Sequence, residues 1–228
     1  MKKYWILGCA LIAAGAIAIY HGATANHATT TSEIVLHDQP SANVPPQTPA
    51  SAPDRFKDTS MLKPPAGAAV AIYEFEDLEC PACARAYPIV HAAASQYKIP
   101  LVRHDYPWPF HVWSFDAAVT ARYLQDKLSP QLADAFRGDV FASQSLIASK
   151  DDLARFTARW FQSHGQSLPF VMDASGACKL EVESDRALGD QLGLRSTPCI
   201  FVVTQTKWVQ VVDLSQLDRT IDFVLAQA

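Results

Sequence analysis

Two thiols three residues apart, in Cys80-Pro81-Ala82-Cys83, are the residues of this chain best suited to covalent chemistry. The apolar positions Tyr87, Val90, Ala94 and Tyr97 that follow predict a helix, and Pro81 fits its first turn, where the missing N–H has no intrahelical partner to lose. Both sulfurs then sit at a helix N-terminus, whose free N–H groups favour a thiolate over a thiol. A second thiol one turn on lets the pair close a disulfide and reopen it by exchange. The spacing predicts Cys80 as the exposed, attacking sulfur and Cys83 as the shielded, resolving one. An inert bridge or half of a zinc site are the competing readings. Zinc calls for a second pair of similar spacing, whereas Cys178 and Cys199 are 21 residues apart with no His close to either, so no metal is expected.

The elements that must hold this pair are legible on either side of it. Val70 to Phe75 is apolar on both faces and reads as a buried central strand, and Ile99 to His104 as a second strand ended by Tyr106-Pro107-Trp108-Pro109. A helical stretch follows, with Phe115, Val119 and Tyr123, then Leu132, Phe136 and Val140 after Pro130, recurring every four residues. Leu153, Phe156, Trp160 and Phe161 mark another helix, opened by Ser149 with Asp152 three residues on and stopped at His164-Gly165. A further helix is expected from about Cys178 to Gly193, then a β-hairpin from Cys199–Val203 and Trp208–Val212, and a closing helix from Ser215 to Ala226. The order is βαβ, helices, ββα. Asp77 and Glu79 are read as loop caps, and His111 and Trp113 as structural residues near a groove.

The run from Glu74 to Cys83 resembles the strand-to-helix active site of the DsbA-like thiol:disulfide oxidoreductases of the thioredoxin superfamily, and Arg195-Ser196-Thr197-Pro198 resembles their cis-proline loop. The likeness covers about residues 66 to 228. It implies an α/β, thioredoxin-like fold with an inserted helical subdomain, here about residues 112–177, and an enzyme that needs no cofactor. It also implies that Pro198 is cis and that the backbone of Thr197 pairs with an extended substrate peptide. By the same resemblance, Glu74, six residues before Cys80, lies under the dithiol and relays the proton of Cys83, with a pKa raised by apolar walls. Ala82 departs from the pattern, since many strong oxidants of the family carry a thiolate-stabilising His there. The implied partners are substrate proteins bearing cysteine thiols or disulfides and a membrane redox partner. The chain is expected to be a monomer, because no dimerisation domain is visible. A disulfide-forming oxidase is expected; a reductase or isomerase of the same fold, or a redox-inactive peptide-binding chaperone module, are the alternatives.

The chain of 228 residues opens with Lys2-Lys3, an uncharged run from Trp5 to Tyr20, and Ala23-Thr24-Ala25, which reads as an export signal over 1–25 or an anchor over 4–20. Both outcomes put the remainder outside the cytoplasm, periplasmic or secreted. Residues 26–65 hold Pro40, Pro45, Pro46, Pro49 and Pro53 among Ser, Thr, Ala and Gln, the composition of a flexible tether. With 19 Lys and Arg against 23 Asp and Glu and no basic run, nucleic acid is an unsuitable partner. Cys178 and Cys199 are not expected to bridge, because a helix opening at Cys178 carries the chain away before Cys199 is reached.

Overall fold

A computed structural model describes residues 61–228; the expected leader, and the expected linker up to residue 60, lie outside the described residues. Four strands form one sheet in the order β2-β1-β3-β4, where β1 is Val70–Glu76, β2 Leu101–Asp105, β3 Cys199–Thr204 and β4 Trp208–Val211. β1 runs parallel to β2 through the crossover helix α1 (Pro81–Tyr97) and antiparallel to β3, which forms a hairpin with β4. Between β2 and β3 lie α2 (Ser114–Tyr123), α3 (Pro130–Ser143), α4 (Lys150–Ser163) and α5 (Ala177–Gln191), and α6 (Leu217–Leu225) closes the chain. This is the expected α/β order with a helical insertion, and among the described residues no helix is long and apolar enough to cross a membrane.

Every residue of β1 is buried, because both faces of the sheet are covered. Strand alternation divides the load. Val70 and Ile72 pack with Ala86 and Val90 of α1 and with Leu217, Ile221 and Val224 of α6. Ala71, Tyr73 and Phe75 pack on the other face with Leu62, Tyr106, Leu192 and Leu194. The insertion has its own core, built on Trp113, Phe136, Phe141, Trp160 and Phe161, and Leu78, Cys80 and Cys83 belong to it.

Local signals behave as their chemistry requires, with small shifts. The Ser149 side chain accepts from the Asp152 N–H at 3.1 Å, opening α4, and Gly165 takes the positive φ of 65° that ends it. β2 begins at Leu101, two residues later than expected, because the Ile99 N–H bonds the Ala94 carbonyl in the turn that leaves α1. Pro88 lies inside α1, where it removes a backbone bond; the helix is held by its buried face, Cys83, Ala86, Val90 and Ala93.

The parallel register places Glu76 beside Asp105 at the ends of β1 and β2, two carboxylates side by side and both buried. Arg137 of α3, itself buried, bridges them: one guanidinium nitrogen lies 2.6 Å from Glu76 and 2.6 Å from Asp105, and a second lies 3.0 Å from Asp105. Arg122 of α2 donates to Asp105 at 2.6 Å and also to Asp185 of α5, whose other oxygen meets His104 at 2.6 Å. Burial opposes the charge on Asp105, yet Arg137 and Arg122 hold its carboxyl below its usual range. Removing one partner of such a cluster leaves buried charge unpaired. Arg137→Met is therefore expected to lower the unfolding free energy in urea by about 3–5 kcal/mol, and adding Glu76→Gln and Asp105→Asn to recover much of it. A loss below about 1 kcal/mol for the single variant would show that the bridge is not a structural clamp.

Candidate active site

Cys80 is the N-cap of α1, in extended conformation, with Pro81 at the first helical position. Its N–H bonds the Asp77 carbonyl at 3.0 Å, which fixes the turn from β1 into the helix. The Cys80 and Cys83 sulfurs are unbonded in this structure, and as thiols their environments drive them apart. Cys80 is lowered to about 5, first by a hydrogen bond from Cys83, with burial opposing, and then by Thr197 and the N–H groups of Cys83 and Ala82. Cys83 is pushed far above the ordinary thiol value by burial, by its bond to Cys80 and by the Cys80 charge. The helix-terminus N–H groups thus act as the sequence suggests, but the neighbouring thiol acts more strongly. Cys80, expected from the sequence to be exposed, is buried instead. Cys80 is 8% accessible and Cys83 0%, because the core of the insertion closes over the pair.

Asp77 organises the loop. Its carboxylate, buried, accepts from four donors: the Glu79 N–H, the Ser114 hydroxyl, the Trp108 N–H at 2.7 Å and the His111 ring at 2.7 Å. Its own N–H reaches the Cys83 sulfur at 3.4 Å. Glu79 accepts from the Trp113 and Ser114 N–H groups at 2.8 and 3.1 Å and so covers the start of α2. Gln144, just beyond α3, donates to the carbonyls of Leu78 and Cys80 at 2.8 and 3.1 Å. Trp113 is core, its indole N–H bonded to the Ile147 carbonyl at 3.0 Å, whereas His111 borders the groove described below.

Glu74 is completely buried, and neither carboxylate oxygen has a hydrogen-bond partner. Its walls are not purely apolar as expected, since Glu76 lies on the same strand face and Arg103 beside it in register. Burial first, then the Glu76 charge, raises Glu74 to about 8, against the pull of Arg103 and Arg137. Burial raises Glu76 as well, opposed first by Arg137. Glu76 is hydrogen-bonded to the guanidinium, whereas Glu74 has no hydrogen-bond partner. Besides the Cys80 charge, the carboxylate whose charge bears on Cys83 is Glu76, to which the sequence assigned no role. Its signal was present: two carboxylates two apart in a buried strand share a face and need a cation.

The Thr197-Pro198 bond is cis, and it sets the Thr197 carbonyl 3.4 Å from the Cys80 sulfur. Trp108 donates its indole N–H to the Thr197 hydroxyl at 3.2 Å. Beyond Trp108 lies an open groove of about 450 Å³, walled by Pro107, Trp108, His111 and Phe115 with Arg186 at its edge. Cys199, next to Pro198, is buried on the far face and donates to the Ser196 carbonyl at 3.2 Å, and Cys178 is a separate buried thiol. Among the described residues no cluster of three or more metal-ligating side chains is found.

The sulfur environments generate two expectations. Thiolate absorbance should place the Cys80 midpoint near 5, and Cys83→Ala should raise it by at least about one pH unit, the worth of one hydrogen bond to a charged group. An unchanged midpoint would remove Cys83 as the donor. For Glu74, the raised folded pKa means that the native state keeps a proton the unfolded chain has lost, so stability falls as pH rises from about 4.5 to about 8. Glu74→Gln should flatten that part of the stability profile; an identical slope in both proteins would contradict a buried, protonated Glu74.

Comparison with known proteins agrees with this geometry. Residues 59–222 match the family model described as Thioredoxin. Among the curated proteins none matches the sequence. The fold is similar to that of the thiol-disulfide exchange protein alpha-DsbA2 from Wolbachia pipientis, at 18% identity and a TM-score of 0.58 over 75% of this chain and 90% of that one. It is also similar to a periplasmic thioredoxin-like protein from Salmonella enterica serovar Typhimurium, at 16% identity and a TM-score of 0.56 over 71% of this chain and 87% of that one. The catalytic domain of Proteus mirabilis ScsC aligns at 16% identity and a TM-score of 0.57, covering 76% and 94% of the two chains. The match of the family model to most of the chain, the cis-proline facing a two-cysteine helix start and the helical insertion together make this chain a member of the thioredoxin family with the DsbA-like form of its fold.

Proposed function

We propose that the protein is an extracytoplasmic thiol:disulfide oxidoreductase that donates a Cys80–Cys83 disulfide to substrate proteins, acting as an oxidase. The observation that carries this reading is the placement of the two sulfurs, Cys80 at the start of α1 facing the cis-Pro198 loop and Cys83 fully buried behind it, which lowers Cys80 to about 5 and holds Cys83 as a thiol. An enzyme whose reduced form is stabilised in this way gains little by holding its disulfide and passes it on. The names of similar solved structures, a thiol-disulfide exchange protein and a periplasmic thioredoxin-like protein, support the activity and the compartment.

A substrate thiolate attacks the Cys80 sulfur, the Cys80–Cys83 bond breaks, and Cys83 leaves with the electron pair and takes up a proton, as its high affinity for one favours. The substrate's second thiol, losing its proton, then attacks the substrate sulfur of the mixed disulfide, and Cys80 leaves as the thiolate. The substrate has lost two electrons and two protons; the enzyme holds both electrons and one proton, and the other proton goes to solvent. Thr197 and Pro198 line the approach, where an extended peptide pairs with the Thr197 backbone. Glu74 stores the proton behind Cys83, while Pro81 and Ala82 supply the turn between the sulfurs. A membrane redox partner restores the disulfide, and the protein works as a monomer on an N-terminal tether.

Equilibration with glutathione tests the direction of flow. A potential near about −120 mV is expected, and one near about −270 mV would make the protein a reductase. Cys83→Ser, with Cys80 first loaded as a mixed disulfide with glutathione, should exchange with a reduced substrate protein, whose thiolate displaces glutathione as the leaving thiol and stays trapped on Cys80. No mixed disulfide and no oxidation of a reduced substrate, with peptide binding intact, would leave only a binding module. Glu74→Gln should slow release of the mixed disulfide several-fold more than its formation; equal effects would take Glu74 out of the mechanism.

A further inference from the structure

The Thr197 main-chain carbonyl, 3.4 Å from the Cys80 sulfur, can accept from a thiol but opposes a thiolate. A thiolate at that place gains from any donor that offsets this carbonyl, and beside Cys83 and the helix-start N–H groups the Thr197 side chain is one of them. A hydroxyl has one hydrogen and two lone pairs, so where the hydrogen points depends on what occupies the lone pairs. Here the Trp108 indole N–H, 3.2 Å away, occupies one of them. The indole is itself fixed. Its backbone N–H bonds Asp77 at 2.7 Å, its ring meets Tyr106 edge-on at 5.3 Å, and Phe110 stacks on it at 5.7 Å. The Thr197 side chain is among the causes that lower Cys80, which agrees with donation by its hydroxyl.

We infer that Trp108 is a positioning residue for the attacking sulfur: its indole N–H holds the Thr197 hydroxyl so that the hydroxyl hydrogen points at Cys80. Trp108 does not touch the reacting atoms and acts only through Thr197. The role is specific to an N–H donor at this place, since packing against Tyr106 and Phe110 needs only an aromatic ring. It deepens the proposed function, because it rests on Cys80 being the attacking thiolate.

Thiolate absorbance against pH on the full chain tests the inference in a cycle of Trp108→Phe, Thr197→Val and the double variant. Trp108→Phe should raise the Cys80 midpoint by about half a pH unit or more, and Thr197→Val by at least as much. The double variant should match Thr197→Val alone, while Trp108→Phe in a Thr197→Ser background should retain its effect. An unchanged midpoint in Trp108→Phe, or additive effects in the double variant, overturns the inference. A second reading needs no substitution: in the wild type, the nitrogen-15 resonance of the Trp108 indole should move with the midpoint of the thiolate absorbance, and a flat resonance through that range also overturns it. Failure of the broader reading looks different, because a wild-type Cys80 that titrates like a free thiol removes the thiolate itself.

Discussion

Arg137 carries its charge from α3 of the insertion to the ends of β1 and β2, where Glu76 and Asp105 lie side by side. The sheet cannot hold two buried carboxylates in register without a cation, and the cation comes from the helical insertion. Arg122 and Asp185 extend the same cluster to α2 and α5. The outcome is a fixed seat for the insertion over the strand ends, where the turn into α1 begins. A hydrophobic contact alone would permit sliding; a guanidinium with bonds to two strands fixes one position.

That seat controls the chemistry. Because Leu78, Cys80 and Cys83 belong to the core of the insertion, Cys83 is dry, and a dry thiol keeps its proton. The retained S–H is the largest influence lowering Cys80, ahead of the helix-terminus N–H groups. A second middle His in the motif would be one way to stabilise the thiolate. With Ala82 in its place, the burden moves to Cys83, to Thr197 and, through Thr197, to Trp108. The proposed active site is therefore assembled from α1, the cis-proline loop and the segment between β2 and α2.

The parts legible in the sequence were those with local signals. Alternation and two-sided apolarity revealed β1, the Pro81 spacing revealed the start of α1, and Ser149 with Asp152 revealed α4, because each depends on residues within a few positions of one another. The resemblance supplied the cis bond at Pro198. What stayed hidden depends on distant neighbours. Arg137 looks like an ordinary helical cation until the register of β1 and β2 puts two carboxylates beneath it. Asp77 looks like a loop cap, and only the fold brings Trp108, His111 and Ser114 to it. The burial of Cys80 is hidden from the sequence for the same reason, since the residues that cover it come from the insertion.

Under the proposed function, the folded protein stabilises its reduced form through a Cys80 thiolate. A thiol whose folded pKa is about 5 and whose ordinary value is 9.0 contributes stability that is fully present above the ordinary value and is lost as pH falls through the folded one. The direct measurement is the unfolding free energy of the oxidised and reduced proteins, side by side, from pH 5 to pH 9. All other titrating groups are common to both forms, so the difference between them isolates the dithiol. The stability of the reduced form relative to the oxidised form should rise by about 1.4 kcal/mol for each pH unit in the middle of this window, and level off towards pH 9, where the unfolded Cys83 also loses its proton. A difference that does not change with pH would contradict the account.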